Sequence, residues 1–340
     1  MTAITPLSPP TSSLEHSRAY CLHLTKSQAK NFYYGLKLLP EPKRSAMYAL
    51  YAYMRLVDDI ADDDAHTKSL EERKADLDHW QELTHQAYSA SQPPAEPGAN
   101  GYSPKKLETR NSKLETLPPP SSVWPAFIHL IQTYRIPQRI FDDMIAGQRQ
   151  DLSPAPIRTF ADLHQYCYRV ASVVGIASLY VWGFDSTGPS ASETLQLAAD
   201  RGIAFQLTNI LRDLHEDAAK PNGTGQGRCY LPEEDLAKFQ IAPEQIGKGR
   251  EGGELAGNSN FLALMQFQIA RARSYYDSSA PLAARISADS RPTLQAMTDI
   301  YRGILEKIAE NPAKVLTTRV KLSTPQKLLI AWRALRRVKG

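Results

Sequence analysis

Apolar side chains recur every three to four positions along most of the chain, with polar side chains between them. This spacing places apolar residues on one face of an α-helix, and no stretch alternates convincingly with the period of two that a half-buried strand shows. The pattern predicts an all-α bundle of many helices around one core. The predicted helices cover residues 25–38, 43–63, 69–88, 124–134, 137–151, 159–183, 191–219, 259–285, 290–311 and 324–338.

Stretches rich in proline and glycine interrupt this pattern. Residues 91–122 carry prolines at a density that neither helix nor sheet sustains, and helical pattern resumes directly after them. We interpret them as a disordered surface insertion, and residues 1–20 as a disordered tail. Shorter gaps cover residues 220–229 and 247–258. The sequence therefore predicts a single domain over residues 21–340.

Composition and charge exclude several classes of function. The chain has 340 residues, 42% of them apolar and 22% charged, as in an ordinary globular protein. A net charge of +4 provides no strong field for nucleic acid. No apolar run reaches the roughly 18 residues of a membrane-spanning helix, and the first residues lack the regions of a signal peptide. We expect a cytoplasmic protein without a nucleic-acid partner or an obligate protein partner.

The first candidate for chemistry is an acidic cluster at the end of the predicted helix 43–63. Asp58 and Asp62 are four residues apart and share one helical face with Tyr51 and Arg55. Stacked carboxylates repel each other, and the dipole disfavours them at the C-terminal end of a helix. Mg²⁺ prefers oxygen ligands of this kind and bridges them to phosphates. This cluster alone leaves open the alternative of a solvated acidic helix end.

A second acidic cluster lies in the predicted helix 191–219. Gln206, Asn209, Asp213 and Asp217 follow each other at steps of three, four and four, which places them on one face. Two such helices facing each other would hold several Mg²⁺ ions and a diphosphate leaving group between them. A pair of clusters with this spacing favours a functional interpretation over a structural one.

Four segments carry longer patterns around these clusters. Residues 51–62 read Tyr-Ala-Tyr-Met-Arg-Leu-Val-Asp-Asp-Ile-Ala-Asp, and residues 205–213 read Phe-Gln-Leu-Thr-Asn-Ile-Leu-Arg-Asp. Residues 166–175 read Tyr-Cys-Tyr-Arg-Val-Ala-Ser-Val-Val-Gly, and residues 227–232 read Gly-Arg-Cys-Tyr-Leu-Pro. Together they resemble the squalene/phytoene synthase family over residues 25–335, apart from the insertions.

The resemblance implies an isoprenoid-synthase bundle with a central active-site cavity. There, two identical allylic prenyl diphosphates would condense head to head through a cyclopropyl intermediate. It implies Mg²⁺ as the cofactor, with Mn²⁺ as a substitute. The implied metal-binding positions are Asp58, Asp62, Asn209, Asp213 and Asp217; the implied catalytic positions are Tyr166, Arg55, Arg212 and Arg228; further cavity positions are Tyr51, Gln206 and Tyr301. The arginines would contact diphosphate, and Tyr166 would handle protons or stabilise cations.

The chain departs from the family pattern at a few positions. Residues 29–32 read Ala-Lys-Asn-Phe where the family often has Ser-x-Ser-Phe. Asn31 can donate to a phosphate and Lys30 adds positive charge, so we expect both to bind substrate. Ser172 stands where the family usually has glycine and would narrow the cavity. The loop at residues 218–227 is longer than in the family pattern and is either a flap over the site or a passive insertion.

The substrate is the least determined part of this prediction. The run from Asn31 to Pro40 resembles bacterial squalene-pathway enzymes, so we expect farnesyl diphosphate to be converted to presqualene diphosphate or squalene. The alternative is 15-cis-phytoene synthesis from geranylgeranyl diphosphate, because phytoene synthases share the same motifs. The chain shows neither a nucleotide fingerprint nor the anchor of the eukaryotic-type enzymes, so we expect no use of NADPH.

Two other functions fit the sequence less well. One is a terpene cyclase or a chain-elongating prenyltransferase of the same fold; elongating enzymes would show two Asp-Asp-x-x-Asp clusters, which this chain lacks. A non-catalytic scaffold relative would have lost acidic residues. The final predicted helix, 324–338, is basic and amphipathic. We expect its Leu, Ile and Trp face to pack on the core; peripheral contact with the inner membrane surface is the alternative.

Overall fold

The computed structural model describes residues 13–29, 32–62, 67–91, 122–219, 228–246 and 255–337. Within these ranges the chain is helical, and the sole β contact is an isolated bridge between Phe184 and Ile286. The all-α prediction is therefore confirmed. The principal helices are α1 Ser13–Gln28, α2 Phe32–Leu36, α3 Lys43–Ala61, α4 Leu70–Ser91, α5 Trp124–Tyr134, α6 Gln138–Leu152, α7 Phe160–Cys167, α8 Val173–Trp182, α9 Ala191–Ala219, α10 Glu233–Lys238, α11 Ser259–Ser278, α12 Leu282–Arg285, α13 Arg291–Glu310 and α14 Thr324–Arg337.

The first helix begins earlier than the sequence pattern predicts. Residues 13–20 belong to α1, so the interpretation of residues 1–20 as a loose tail is wrong for that part. Ser17 explains the difference, since its buried hydroxyl donates to the carbonyl of Ser122 at 2.6 Å and accepts from the amide of Ala126 at 3.0 Å. These bonds fasten α1 to the start of α5. Residues 1–12 and the predicted insertion at 92–121 lie outside the described residues.

The predicted helix 25–38 is two helices, because α1 ends at Gln28 and α2 begins at Phe32. Helix α2 packs closely on α13 through Gly35. A Cβ atom at this position would lie 2.7 Å from Cγ of Met297. The Thr293 hydroxyl also donates to the Gly35 carbonyl at 3.1 Å. The short helix is thus held against the wall of the bundle.

An aromatic cluster holds α3 to α4, α5 and α6. Its centre is Tyr53, whose ring stacks on Phe127 with 4.2 Å between centroids and meets Phe141 edge-on at 5.1 Å. The Tyr53 hydroxyl shares a hydrogen bond of 2.7 Å with Thr84, so the phenol is satisfied although it is buried. This cluster fixes the middle of α3 and thereby the position of the acidic residues at its end.

Helix α9 is the long central element and packs on α8, α11 and α13. Between α7 and α8 the chain forms one π-helical turn, Tyr168–Ser172, which also packs on α9. The approach is close enough to require glycine, because a Cβ atom at Gly202 would lie 2.6 Å from Cα of Ser172. Such turns are common at functional sites, and here the turn begins two residues after Tyr166.

Helix α14 closes the described chain and packs on α13 and α2. Its buried residues are Ala331 and Ala334, while Leu328, Leu329 and Trp332 are exposed. The expectation that its Leu, Ile and Trp face packs on the core is therefore wrong, except that Ile330 is partly buried against the core. None of the described helices is long and apolar enough to cross a membrane.

Candidate active site

A cavity of about 1750 Å³ opens between α3, α6, α8, α9 and α13. Its α9 wall runs from Ala198 to Asp217, which spans about 28 Å at 1.5 Å per residue. Along this wall the lining changes from small and apolar residues to acidic ones. Pockets for one small ligand usually measure about 300–1,000 Å³, so this cavity is large enough for two extended molecules.

Nearly all residues that the sequence singled out line this one cavity. They come from α3, α9 and α13 and from the segments around Tyr166 and Arg228. Lys30 and Asn31, the two predicted substrate-binding residues next to α2, lie outside the described residues. The residues brought together are Tyr51, Arg55, Asp58, Asp62, Tyr166, Gln206, Asn209, Arg212, Asp213, Asp217, Arg228 and Tyr301.

The first acidic cluster places carboxylates close together with few arginine partners. Arg55 pairs with Asp58 at 3.0 Å and also with Asp59, whereas the nearest arginine contact of Asp62 is Arg228 at 3.9 Å. Burial, together with the carboxylate of Asp62, raises the pKa of Asp58 to about 7. The charge on this wall is therefore only partly compensated, as the stacked spacing of the two aspartates predicts.

The second acidic cluster is held by arginines instead. Nε of the buried Arg212 lies 2.8 Å from Asp213. Arg319, from the segment after α13, approaches Asp213 with its Nε at 2.9 Å and contacts Glu216 at 3.0 Å. The charge of Asp213 is thus compensated from two sides. Arg319 was not singled out from the sequence.

Asn209 lies one turn before Asp213 and faces the same cavity. Its Nδ2 donates to the Gln206 side chain at 3.3 Å, but its buried Oδ1 has no hydrogen-bond partner within the described part of the chain. A buried acceptor of this kind is costly unless something binds to it. It therefore points to a ligand in the cavity.

Asp151, at the end of α6, is a site residue that the sequence analysis missed. Its carboxylate accepts hydrogen bonds from the hydroxyls of Tyr166 at 3.1 Å and of Tyr230 at 3.3 Å. Burial raises the pKa of Asp151 to about 6, even though these bonds oppose the shift. The sequence does contain a signal. Asp151 follows Met144 and Gln148 at steps of four and three, on the inward face of a helix, where a carboxylate is unfavourable unless it has a partner or a function.

The two tyrosines that contact Asp151 stack on each other with 5.0 Å between ring centroids. Burial first, and then the negative charge of Asp151, raises the pKa of Tyr166 well above its ordinary value. Tyr166 therefore keeps its proton at neutral pH and donates it in a hydrogen bond. The geometry supplies a fixed phenol beside an acidic group, an arrangement suited to proton handling.

Aromatic faces line the cavity beyond the charged groups. The ring of buried Tyr301 stacks on Phe205 at 4.6 Å and meets Phe32 at 5.4 Å. Such faces attract cations. Ser172, by contrast, donates its hydroxyl to the Ala199 carbonyl at 2.7 Å and is not among the lining residues, so the expectation that it narrows the cavity is wrong.

The described residues contain no group of three or more His, Cys, Asp or Glu side chains that could hold a metal ion by itself. The donor chemistry nevertheless fits a hard divalent cation. Carboxylates of Asp58 and Asp62 line one wall, and Asp213 with the unpartnered Oδ1 of Asn209 lines the other. Mg²⁺ is usually bound by one or two carboxylates together with substrate phosphates rather than by a closed protein cage.

Comparison with known proteins decides the family. The family model described as squalene/phytoene synthase matches residues 25–326. The chain belongs to this family. It is therefore a prenyltransferase, as the motif resemblance implied.

Curated relatives cover nearly the whole chain. The 15-cis-phytoene synthase of Synechococcus elongatus is 33% identical over 323 residues, which cover 93% of this chain and 91% of that protein. The enzyme of the same name from Synechocystis is 31% identical, covering 96% of this chain and 88% of the relative. The match thus includes both acidic clusters and the helices that carry them.

Solved structures agree on the fold. A dehydrosqualene synthase crystallised with a ligand superposes with a TM-score of 0.75 at 25% identity, covering 96% of this chain and 98% of that one. The squalene synthase HpnC from Alicyclobacillus acidocaldarius gives a TM-score of 0.69 at 21% identity, covering 90% of this chain and all of that one. The helical isoprenoid-synthase bundle predicted from the sequence is confirmed.

Proposed function

We propose that this prenyltransferase condenses two molecules of geranylgeranyl diphosphate head to head to 15-cis-phytoene. The observation that carries the proposal is the identity of 31–33% to two proteins named 15-cis-phytoene synthase, over more than 90% of this chain. These relatives favour the alternative over the farnesyl diphosphate reaction that the sequence motifs first suggested. The cavity of about 1750 Å³ supports two long substrates.

A second candidate is the reaction with farnesyl diphosphate. The superposition on a dehydrosqualene synthase, with a TM-score of 0.75 over 96% of the chain, favours it. Both candidates share the same charged site and differ in the length of the prenyl chain.

The site residues divide the chemistry as follows. Asp58 on α3 and Asp62 directly after it, with Asn209, Asp213 and Asp217 on α9, would hold Mg²⁺, or Mn²⁺ in its place. The metal would neutralise the departing diphosphate. The two acidic walls would thereby bind one substrate group between them.

Arg55, Arg212 and Arg228 would contact the diphosphate oxygens. Charge-assisted hydrogen bonds of this kind are among the strongest that a protein makes. In the structure these arginines pair with aspartates of the same clusters. Substrate binding accordingly exchanges carboxylate contacts for diphosphate contacts, which keeps the arginines paired at each stage.

The apolar part of the cavity holds the prenyl chains and excludes water. Tyr51, Phe205 and Tyr301 present aromatic faces to the developing carbocation. A hydrocarbon product that forms without a reductant must lose protons. Tyr166, held by Asp151 at 3.1 Å, is the group that we assign to handle them.

The test is product analysis by mass spectrometry. Purified protein and Mg²⁺ are incubated with farnesyl or geranylgeranyl diphosphate, with and without NADPH. We expect a C40 hydrocarbon from geranylgeranyl diphosphate whether or not NADPH is present. A C30 product formed preferentially from farnesyl diphosphate would favour the second candidate, and the absence of product from both substrates would refute the proposal.

A further inference from the structure

Large apolar side chains are exposed mainly on one helix. Of the six exposed large hydrophobic residues among the described ones, four lie on α14, with exposed fractions of 53% for Leu328, 44% for Leu329, 50% for Trp332 and 39% for Leu335. They follow each other at steps of one, three and three, so they share one side of the helix. Exposed apolar patches of this kind mark surfaces that bind something.

The packing of α14 explains why this face is free. The helix meets the bundle through Ala331 and Ala334, which are buried, while the larger side chains point away. Small residues permit close packing on α13 and α2 without the leucines and the tryptophan. The apolar face is therefore not required for folding of the helix onto the core, and it is available for another surface.

The charge of α14 identifies the kind of surface. Between Thr324 and Arg337 the sequence contains no Asp or Glu, and Arg333 and Arg336 are exposed on the same outward side. The Arg336 guanidinium lies over the Trp332 ring, 4.3 Å from its centroid. A helix with a Leu and Trp face bordered by arginines is suited to the interface of an anionic lipid bilayer, where the rings and chains enter the headgroup region.

The position of α14 relates this surface to the cavity. Lys327 on α14 and Lys321 directly before it line the cavity, as do Lys307 and Arg319. Lys307 also donates to the Gln326 side chain at 3.3 Å, which connects α13 to the first turn of α14. The helix thus lies beside a basic cavity rim, and a membrane bound to α14 would lie next to the opening.

We propose that α14 docks the protein on an anionic membrane surface through this apolar face, with the cavity rim close by. Docking follows from the exposed face and its charge. Docking would let hydrophobic prenyl compounds pass between the bilayer and the cavity; this part of the proposal rests on the proposed function. Because substrate and product both partition into lipid, this placement shortens their transfer.

The test is co-sedimentation of the full chain with vesicles of phosphatidylcholine, alone or mixed with phosphatidylglycerol. We expect binding to the anionic vesicles that weakens with added salt. The affinity of the double variant Leu328→Glu/Trp332→Glu for these vesicles should fall by about tenfold or more, since it places negative charge in the apolar face. Leu22→Glu is the matched control, because it changes another exposed leucine, on α1, and should bind as the parent does.

Trp332 provides a direct probe. The chain has four tryptophans, and Trp332 is the exposed one, so its emission should shift to the blue and be quenched by brominated lipid on anionic vesicles. Trp332→Phe should lose this signal. Absence of a shift with the parent chain, or equal pelleting of the parent and the double variant, would overturn the proposal.

Two further measurements distinguish membrane docking from a failure of the proposed reaction and from an interface between two copies of the chain. With substrate dissolved in detergent, the double variant should retain the activity of the parent, so a failure of docking is distinguishable from a failure of the proposed reaction. If the parent is a dimer by light scattering, binds no vesicles, and becomes a monomer in the double variant, the face is an interface between copies, and membrane docking is overturned.

Discussion

The two acidic walls of the cavity use the same helical spacing but differ in how their charge is balanced. At the end of α3, Asp58 and Asp62 share their surroundings with Asp151, and burial with neighbouring carboxylates raises the pKa of Asp58 to about 7. On α9, Asp213 lies between Arg212 and Arg319, at 2.8 and 2.9 Å. The α3 wall crowds carboxylates with few arginine partners, whereas Asp213 on the α9 wall is paired with an arginine on each of two sides.

This difference indicates how a metal–diphosphate complex would meet the site. The α3 wall is the stronger attractor for a cation, since its carboxylates lack equal compensation. A cation at Asp213 would have to displace Arg319, which would then be available to an anion. Two acidic clusters with the same helical spacing thus need not be equivalent sites, because their arginine partners differ.

The largest expected effect comes from the α3 wall. Asp58→Asn should lower kcat by about 10³-fold or more. It removes a carboxylate that would bind the metal, and the metal would stabilise the departing diphosphate. Asp59→Asn is the matched control: it also loses a contact with Arg55, but Asp59 does not line the cavity. Steady-state kinetics with circular dichroism checks both. Similar losses of kcat in the two variants would show that activity depends on the ion pairs of Arg55 and not on the cavity-lining carboxylate of Asp58.

The next effect concerns the phenol beside Asp151. Tyr166→Phe should lower kcat by about 10²-fold, the range of a lost proton-handling group, with little change in KM. Tyr230→Phe removes the other phenol on Asp151 and should cost less, because its ring remains to support Tyr166. If both variants keep the parental kcat, the assignment of Tyr166 is wrong.

Some residues of the site can be predicted from the sequence and others cannot. The acidic faces of α3 and α9 follow from spacing alone, since steps of three and four fix a helical face. Arg319 was missed because it lies in an irregular segment without periodicity, and the inward-facing position of Asp151 on α6 does not indicate which residues its carboxylate meets. Their role depends on long-range packing, which a local pattern does not contain.

The errors in the fold have similar causes. The break between Gln28 and Phe32 has no proline or glycine to mark it, so residues 25–38 appeared to form one helix. The apolar face of α14 was visible in the sequence, but its periodicity does not say which side meets the bundle. Ala331 and Ala334 form that contact instead of the larger residues.

A smaller effect should appear in the pH dependence of stability without metal. The pKa of Asp151 rises from 3.8 to about 6 on folding, so the folded state holds this proton more tightly. The parent therefore loses stability as pH rises through this window, and Asp151→Asn does not. The free energy of unfolding of the variant, relative to the parent, should increase by about 1–3 kcal/mol between pH 4 and 7. Urea unfolding across this range checks it; a constant difference would contradict the shift.

The smallest effect tests the α9 wall. Arg319→Gln should strengthen Mn²⁺ binding without substrate by roughly fivefold, because the arginine no longer competes for Asp213 and Glu216 and a partly exposed pair contributes about 1 kcal/mol. Arg302→Gln, which removes a pair with Asp277 away from the cavity lining, is the control. Calorimetric titration with Mn²⁺ measures both. Weaker binding in Arg319→Gln would mean that this arginine supports the metal site.

The most direct test of the central claim is a crystal grown with Mn²⁺ and inorganic diphosphate, with anomalous scattering used to locate the metal. We predict Mn²⁺ peaks in the cavity between the carboxylates of Asp58 and Asp62 on one side and Asn209 and Asp213 on the other, bridged by diphosphate. Peaks confined to one wall, or diphosphate bound at the arginines without any metal between α3 and α9, would contradict the account.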